Sequence, residues 1–73
     1  MKAIIEVSLR DASKANDMML DCRSVANKLN QTSSNTWETE EYDEDDEDAL
    51  DDLISEIEDA FQAAGIEEYE IHF

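Results

Sequence analysis

The sequence predicts one small α/β domain, in which two helices pack on one face of a three-stranded sheet. Two observations support this fold class. Apolar residues stand at every second position near both ends of the chain, and at spacings of three and four in two segments between them. The first period is that of a half-buried strand and the second that of an amphipathic helix. A chain of 73 residues has room for one core, so residues 1–73 are predicted to be a single domain.

The two terminal segments, residues 2–9 and 67–73, are predicted to be strands because they combine the two-residue period with β-branched and aromatic side chains. The inward positions are Ile5, Val7 and Leu9 in the first segment and Tyr69, Ile71 and Phe73 in the last. Each strand therefore offers one apolar face to the helices.

Helix one is predicted from Ala12 to about Asn30, with Asp11 or Ser13 as the capping residue. Its apolar stripe consists of Ala15, Met18, Met19, Cys22, Val25, Ala26 and Leu29. The polar residues 30–35, NQTSSN, are typical of a turn and predict a connection after the helix.

Helix two is predicted after the acidic run DEDDED from its apolar stripe, and acidic residues crowd its N-terminal end, where the helix dipole favours negative charge. Its stripe consists of Leu50, Leu53, Ile54, Ile57, Ala60, Phe61 and Ala64. Gly65 is the only glycine and stands where a left-handed residue ends a helix, so Ile66 is expected to fold back on Phe61.

Between the helices, TWETEEY (36–42) is predicted to be a third strand, although its acidic residues have little strand preference.

The predicted element order is β-α-(β)-α-β. Two right-handed crossovers would give a three-stranded parallel sheet if residues 36–42 pair. The alternative is a ferredoxin-like sandwich, which would require a hairpin within residues 31–44.

Charge divides the chain into two unequal halves. Residues 1–36 carry five basic and four acidic side chains, a net +1, whereas residues 37–73 carry seventeen acidic side chains and no Lys or Arg, a net −17; the sum is −16. A surface with this charge repels DNA, RNA and anionic membranes, which excludes direct binding to them by sign. The expected partner is a basic protein.

The location predicted from the sequence is the cytoplasm. Cys22 is the only cysteine, so no internal disulfide is possible, and a reducing compartment is the natural interpretation. The segment MKAIIEVSLR is interrupted by Glu6 and lacks a cleavage site, so it is not predicted to be a signal peptide. No apolar run approaches the ~20 residues needed to span a bilayer.

Neither an enzyme nor a cofactor or metal site is predicted. Cys22 and His72 are the only candidates for a thiol and base, but Cys22 lies within an apolar stripe and His72 on the outward face of a strand. An EF-hand reading from Asp43 fails, because position six is Asp48 instead of Gly and position twelve is Ile54 instead of Glu. The single glycine leaves no phosphate-binding loop.

The acidic run has the charge density of a nucleic acid. Residues 43–59 contain eleven carboxylates in seventeen residues, which is one charge per ~2.3 Å if the whole run is helical. Duplex DNA carries one charge per ~1.7 Å. The residues predicted to bind a partner are Glu40, Glu41, Asp43, Glu44, Asp45, Asp46, Glu47, Asp48, Asp51, Asp52, Glu56 and Asp59, with Trp37 and Tyr42 beside them as aromatic anchors or as caps on the core.

In size and charge the chain resembles the compact acidic proteins that phages make against host enzymes. The resemblance implies a nucleic-acid mimic that acts in the host cytoplasm on a nuclease, a restriction or CRISPR-type effector, a nucleoid protein or a toxin. The alternative is a solvated regulatory or adaptor domain, or an antitoxin-like protein, that binds a basic partner without mimicry. The chain is expected to be a monomer or a homodimer; edge-to-edge pairing of EEYEIHF would give the dimer, although its glutamates oppose this.

Overall fold

A computed structural model describes residues 1–73. Its strands are β1 (Ile4–Val7), β2 (Leu29–Ser33), β3 (Thr36–Thr39) and β4 (Tyr69–His72). Its helices are α1 (Ala12–Asp21), α2 (Arg23–Ala26) and α3 (Glu47–Ala64), with short 3₁₀ turns at Leu9–Asp11 and Glu44–Asp46. The strands form one antiparallel sheet in the order β2-β3-β1-β4.

The predicted mixture of helices and sheet is confirmed, with a different strand count and direction. The sheet has four antiparallel strands instead of three parallel ones, because β2 and β3 form a hairpin around Ser34 and Asn35. If α1 and α2 are counted as one helical segment, the connectivity is β-α-β-β-α-β. This is the connectivity of the ferredoxin-like sandwich, the alternative predicted from the sequence.

Helix one is shorter than predicted. It ends at Cys22, whose φ of −104° and ψ of 65° are not helical, and the four-residue α2 follows. From Leu29 the chain is a strand instead of a helix or turn. The side chains of β2 are almost all exposed, so they show no two-residue apolar period, and pairing with β3 is what orders the segment.

A single core lies between the sheet and the helices. Its buried members are Ala3, Ile5, Val7, Ala15, Met18, Met19, Val25, Trp37, Leu50, Leu53, Ile54, Ile57, Phe61 and Ile66. Two residues predicted to face inward, Leu9 and Phe73, are each 74% exposed. Leu9 lies in the 3₁₀ turn after β1, and Phe73 follows the last paired residue of β4, so neither is held against the core.

Helix α3 ends as its sequence predicts. Gly65 has a φ of +77°, its N–H donates to the carbonyl of Gln62 at 3.2 Å, and the N–H of Ile66 donates to the carbonyl of Phe61 at 2.9 Å. These two hydrogen bonds form a Schellman motif. Both Ile66 and Phe61 are buried, so the helix end is fixed within the core.

The second face of the sheet carries no helix and is open. Ile4 lies near its centre, opposite Glu38 of β3 on one side and His72 of β4 on the other. Glu6 lies directly opposite Glu70 on the same face. None of the three helices has the length and apolar character needed to cross a membrane.

Candidate acidic interface

The carboxylates of residues 43–59 are all exposed and form one continuous feature, named here the acidic ridge. Its members are Asp43, Glu44, Asp45, Asp46, Glu47, Asp48, Asp51, Asp52, Glu56, Glu58 and Asp59. The run is not helical throughout, because α3 begins at Glu47 after an extended Asp43 and a 3₁₀ turn. Only the part of the ridge from Glu47 onwards is α-helical, so the ridge differs from the 17-residue helix assumed when its charge density was estimated from the sequence.

Helix α3 orders the second part of the ridge. Seven carboxylates occupy residues 47–59, which is one charge per ~2.8 Å of helix axis. Leu50, Leu53, Ile54, Ile57 and Phe61 bury one side of the helix. At 100° per residue, Asp48, Asp52, Glu56 and Asp59 fall on the opposite side, with successive rises of ~6, ~6 and ~4.5 Å. The core therefore fixes the direction in which this row of charges faces.

No cation of the protein neutralises the ridge. The five ion pairs of the structure use the carboxylates of Asp11, Glu38, Glu41, Glu68 and Glu70, all of which lie outside it. The Lys and Arg side chains in these pairs, Lys2, Arg10 and Lys14, are thus directed at other carboxylates. The ridge presents its full formal charge to solvent.

The segment that leads into the ridge is tied to the start of the chain. The N–H of Tyr42 donates to the carbonyl of Met1 at 2.6 Å, and the amino group of Met1 contacts the carbonyl of Tyr42. The same amino group lies 3.0 Å from a carboxylate oxygen of Glu41, whereas Glu40 is exposed without an ion-pair partner. These contacts extend the β1–β3 pairing and hold residues 40–42 in place.

The two aromatic residues beside the run do not lie together on the surface. Trp37 is 3% exposed and belongs to the core, where it is paired across the sheet with Ile5. An exposed anchor role for Trp37 is thus wrong, and the alternative of a core residue applies. Tyr42 is half-buried and packs against the edge of the same core.

Glu58 is a member of the ridge that the predicted set omitted. The hydroxyl of Tyr69 donates to Oε2 of Glu58 at 3.4 Å, and the ring of Tyr69 packs edge-on against Phe61 with centroids 4.8 Å apart. Burial, the negative charge of Glu58 and this hydrogen bond raise the pKa of Tyr69 above its usual value of 10.0. Glu58 comes four residues after Ile54, so the sequence places it beside the buried face of α3. The sequence gives no indication of its contact with β4.

The structure does not bring the thiol and imidazole candidates together. Cys22 lines a groove between α1 and α3 with Met18, Ala60, Ala63 and Ala64, whereas His72 lies on the open face of the sheet, 3.1 Å from Glu70. None of the cavities is lined by both residues. No group of three or more His, Cys, Asp or Glu side chains is placed to share a metal ion.

The largest cavity lies away from the ridge. It has a volume of about 520 Å³ and lies beside the ends of β1 and β4, where Glu6, Glu68 and Glu70 supply its charge and Leu9 its exposed apolar wall. The ridge itself is a convex helix surface, which suits contact with a groove of another protein better than binding of a small molecule.

Comparisons of the chain with protein-family models, with curated proteins and with solved structures find no match.

Proposed function

We propose that the protein is a small acidic inhibitor that occupies the basic nucleic-acid-binding surface of another protein. The observation that carries this proposal is the acidic ridge: eleven exposed carboxylates, none of which has an ion-pair partner within the chain. The proposed partner is a nuclease, a restriction or CRISPR-type effector, a nucleoid protein or a toxin whose basic surface has the opposite sign.

The spacing of the charges supports mimicry of a phosphate backbone. Along α3 the ridge carries a charge every ~2.8 Å, against ~1.7 Å for both strands of duplex DNA. A packed helix holds these charges at fixed distances, so they do not have to be ordered at the moment of binding. Pre-ordering of this kind removes part of the entropic cost of association.

The like charges of the ridge destabilise the free protein, which argues that the ridge is maintained because it has a function. Glu47 and Asp51, Asp48 and Asp52, and Asp52 and Glu56 are like-charged pairs four residues apart on α3, each destabilising by ~0.2–0.5 kcal/mol at low salt. Solubility alone requires a net charge of only ~2–8 for a small domain. The net charge of −16 is well beyond that range.

The test is capture of a partner from lysate with the tagged protein at low salt. Bound proteins are eluted with stepwise salt, and separately with a DNA or RNA fragment, and identified by mass spectrometry. We expect a basic nucleic-acid-handling protein that the nucleic acid releases. Its activity on nucleic acid should then be inhibited by the purified protein.

Two variants of equal net charge serve as matched baits. One replaces Asp51, Asp52, Glu56 and Asp59 of the ridge by Asn or Gln, and the other makes the same replacements at the exposed Glu6, Asp17, Asp21 and Glu67 outside it. Each changes the charge from −16 to −12. Mimicry by the ridge predicts loss of binding in the first variant only.

Equal binding by both variants would show that the ridge is not the contact surface. A basic partner that is retained in the presence of excess DNA or RNA would instead favour the regulatory, adaptor or antitoxin-like alternative, in which the acidic surface binds without imitating phosphate.

A further inference from the structure

Strand β4 is an edge strand whose only protection against pairing is its glutamates. The other edge strand, β2, is interrupted by a register shift between Gln31 and Ser33, a feature that blocks strand addition. In contrast, β4 is paired with β1 without interruption from Tyr69 to His72 and contains neither proline nor lysine. Its outer edge is thus regular and open.

The hydrogen bonds of β1 show which groups this edge exposes. The N–H of Val7 donates to Asn35 on the β3 side at 2.9 Å, whereas the N–H of Ser8 donates to Glu68 on the β4 side at 3.0 Å. Antiparallel ladders alternate, so Glu68, Glu70 and His72 direct their backbone groups towards β1. The backbone groups of Tyr69 and Ile71, and of Phe73 by the same alternation, point away from the sheet.

We propose that two copies of the chain pair through β4, antiparallel about a two-fold axis at Ile71, to form a continuous eight-stranded sheet. In this register Ile71 lies opposite the Ile71 of the second copy, and Tyr69 lies opposite Phe73. All of these residues have outward-facing backbone groups, so the hydrogen-bond ladder is complete. Phe73, which is 74% exposed in the single chain, gains an aromatic neighbour on the helix-covered face.

Charge favours this register over its neighbours. With the axis at Ile71, each Glu70 on the open face lies opposite the His72 of the other copy, a hydrogen-bond donor that is positive when protonated. With the axis at Glu70 the two Glu70 side chains face each other, and with the axis at His72 the two imidazoles do. The groups already around His72 are Glu70, whose carboxylate lies 3.1 Å away, and Ile4, which is directly across on β1, with Glu6 two residues further along β1.

The net charge opposes the dimer at low salt. Each chain carries −16, and Glu58 of the ridge lies on the β4 side of α3 through its contact with Tyr69. Association is therefore expected to strengthen with salt, which screens repulsion beyond ~8 Å at about 0.15 M. Binding of a basic partner to the ridge is expected to weaken with salt instead.

The test is sedimentation equilibrium of the full chain at about 0.15 M and about 1 M salt. We expect a species of twice 8.3 kDa whose dissociation constant falls at the higher salt concentration. The variant His72→Glu, which sets glutamates opposite each other, should raise the dissociation constant about tenfold. The double variant Glu70→Lys with His72→Glu restores opposite charges across the axis and should recover dimerisation.

Phe73→Ser tests the apolar contact, with Leu20→Ser on α1 as its control because Leu20 is 67% exposed and far from β4 in the chain. We expect weaker dimerisation for Phe73→Ser alone. A monomer at every concentration and salt tested would overturn the proposal. A dimer that neither His72→Glu nor Phe73→Ser weakens would equally overturn it, because the copies would then meet elsewhere.

Discussion

The hydroxyl oxygen of Thr39 accepts a hydrogen bond from the backbone N–H of Ala3 at 2.9 Å, while the N–H of Thr39 donates to the carbonyl of Ala3 at the same distance. The hydroxyl donates in turn to the carbonyl of Glu40 at 3.0 Å. Ala3 and Thr39 are almost fully buried. This pair fixes the place where the sheet ends and the acidic segment begins.

Thr39→Val keeps the shape of the side chain and removes its hydrogen bonds. The N–H of Ala3 then lacks a partner in a buried position, so we expect the unfolding free energy to fall by ~1–3 kcal/mol. Hydrogen exchange at the Ala3 amide, followed by NMR, should accelerate. Thr39→Ser retains the hydroxyl and should retain protection at this amide; unchanged protection in Thr39→Val would contradict the assigned role.

Repulsion along α3 is tested by comparing Asp52→Asn with Asp48→Asn. Asp52 has a like charge four residues before it and another four after it, so its neutralisation should stabilise by ~0.4–1 kcal/mol at about 0.01 M salt. Asp48 lies in the first turn, where the helix dipole favours a negative charge by ~0.3–1 kcal/mol, so its neutralisation should give little or no gain. Urea unfolding measures both values.

The gain from Asp52→Asn should vanish at about 1 M salt, because screening removes the repulsion. If the gain persists at that concentration, or if Asp48→Asn produces the same gain, helix propensity or another local effect is responsible instead of charge.

Gly65→Ala tests the end of α3. A Cβ at this position would meet no atom within 4 Å, so the substitution introduces backbone strain at a φ of +77° without a clash. We expect a loss of ~1–2 kcal/mol in unfolding free energy. Gly65→Asn should lose less, since asparagine tolerates the left-handed region better. Equal stability of the alanine variant and the wild type, measured by thermal unfolding, would contradict this assignment.

The contact between Glu58 and Tyr69 has a consequence for pH dependence. The pKa of Tyr69 is raised in the folded chain, so the folded state holds this proton more tightly than the unfolded state. The associated stability is present below pH 10 and is lost as the pH rises through the folded-state pKa. Glu58→Gln removes the negative charge, so the pKa of Tyr69 should fall towards 10.

Phenolate absorbance reports this titration, and the Tyr42→Phe background leaves Tyr69 as the only tyrosine. Glu56→Gln is the matched control, because Glu56 is an exposed ridge carboxylate on the other side of α3. An equal fall in the pKa of Tyr69 in both variants would indicate a general field effect instead of a contact.

The parts of the fold that sequence patterns predicted are those in which one side of an element is buried. Helix α3 has five buried apolar residues at helical spacing, and β1 has Ile5 and Val7 at strand spacing, so both were identified. Strand β2 was not, since its side chains face solvent and pairing with β3 defines it. Local patterns contain no information about such a partner.

The candidate interface, like the fold, could be predicted from the sequence only where it depends on a pattern within one element. The exposure of the acidic residues on α3 was predictable, because a helix that buries Leu50, Leu53 and Ile57 must present the opposite side to solvent. The burial of Trp37 was not, because it depends on a hairpin whose first strand has no signature. The contact between Glu58 and Tyr69 likewise joins elements whose relative placement only the tertiary structure defines.

Strand β1 is made first but stands between the two strands β3 and β4 that are made later. Its residue Ile4 pairs with His72, sixty-eight positions further along the chain. On the ribosome, β1 therefore has neither neighbour until the hairpin emerges and lacks the second until β4 has left the exit tunnel. Native pairing of the sheet is thus deferred until β4 has been made, and nascent chains that stall before residue 69 carry β1 with one side unpaired.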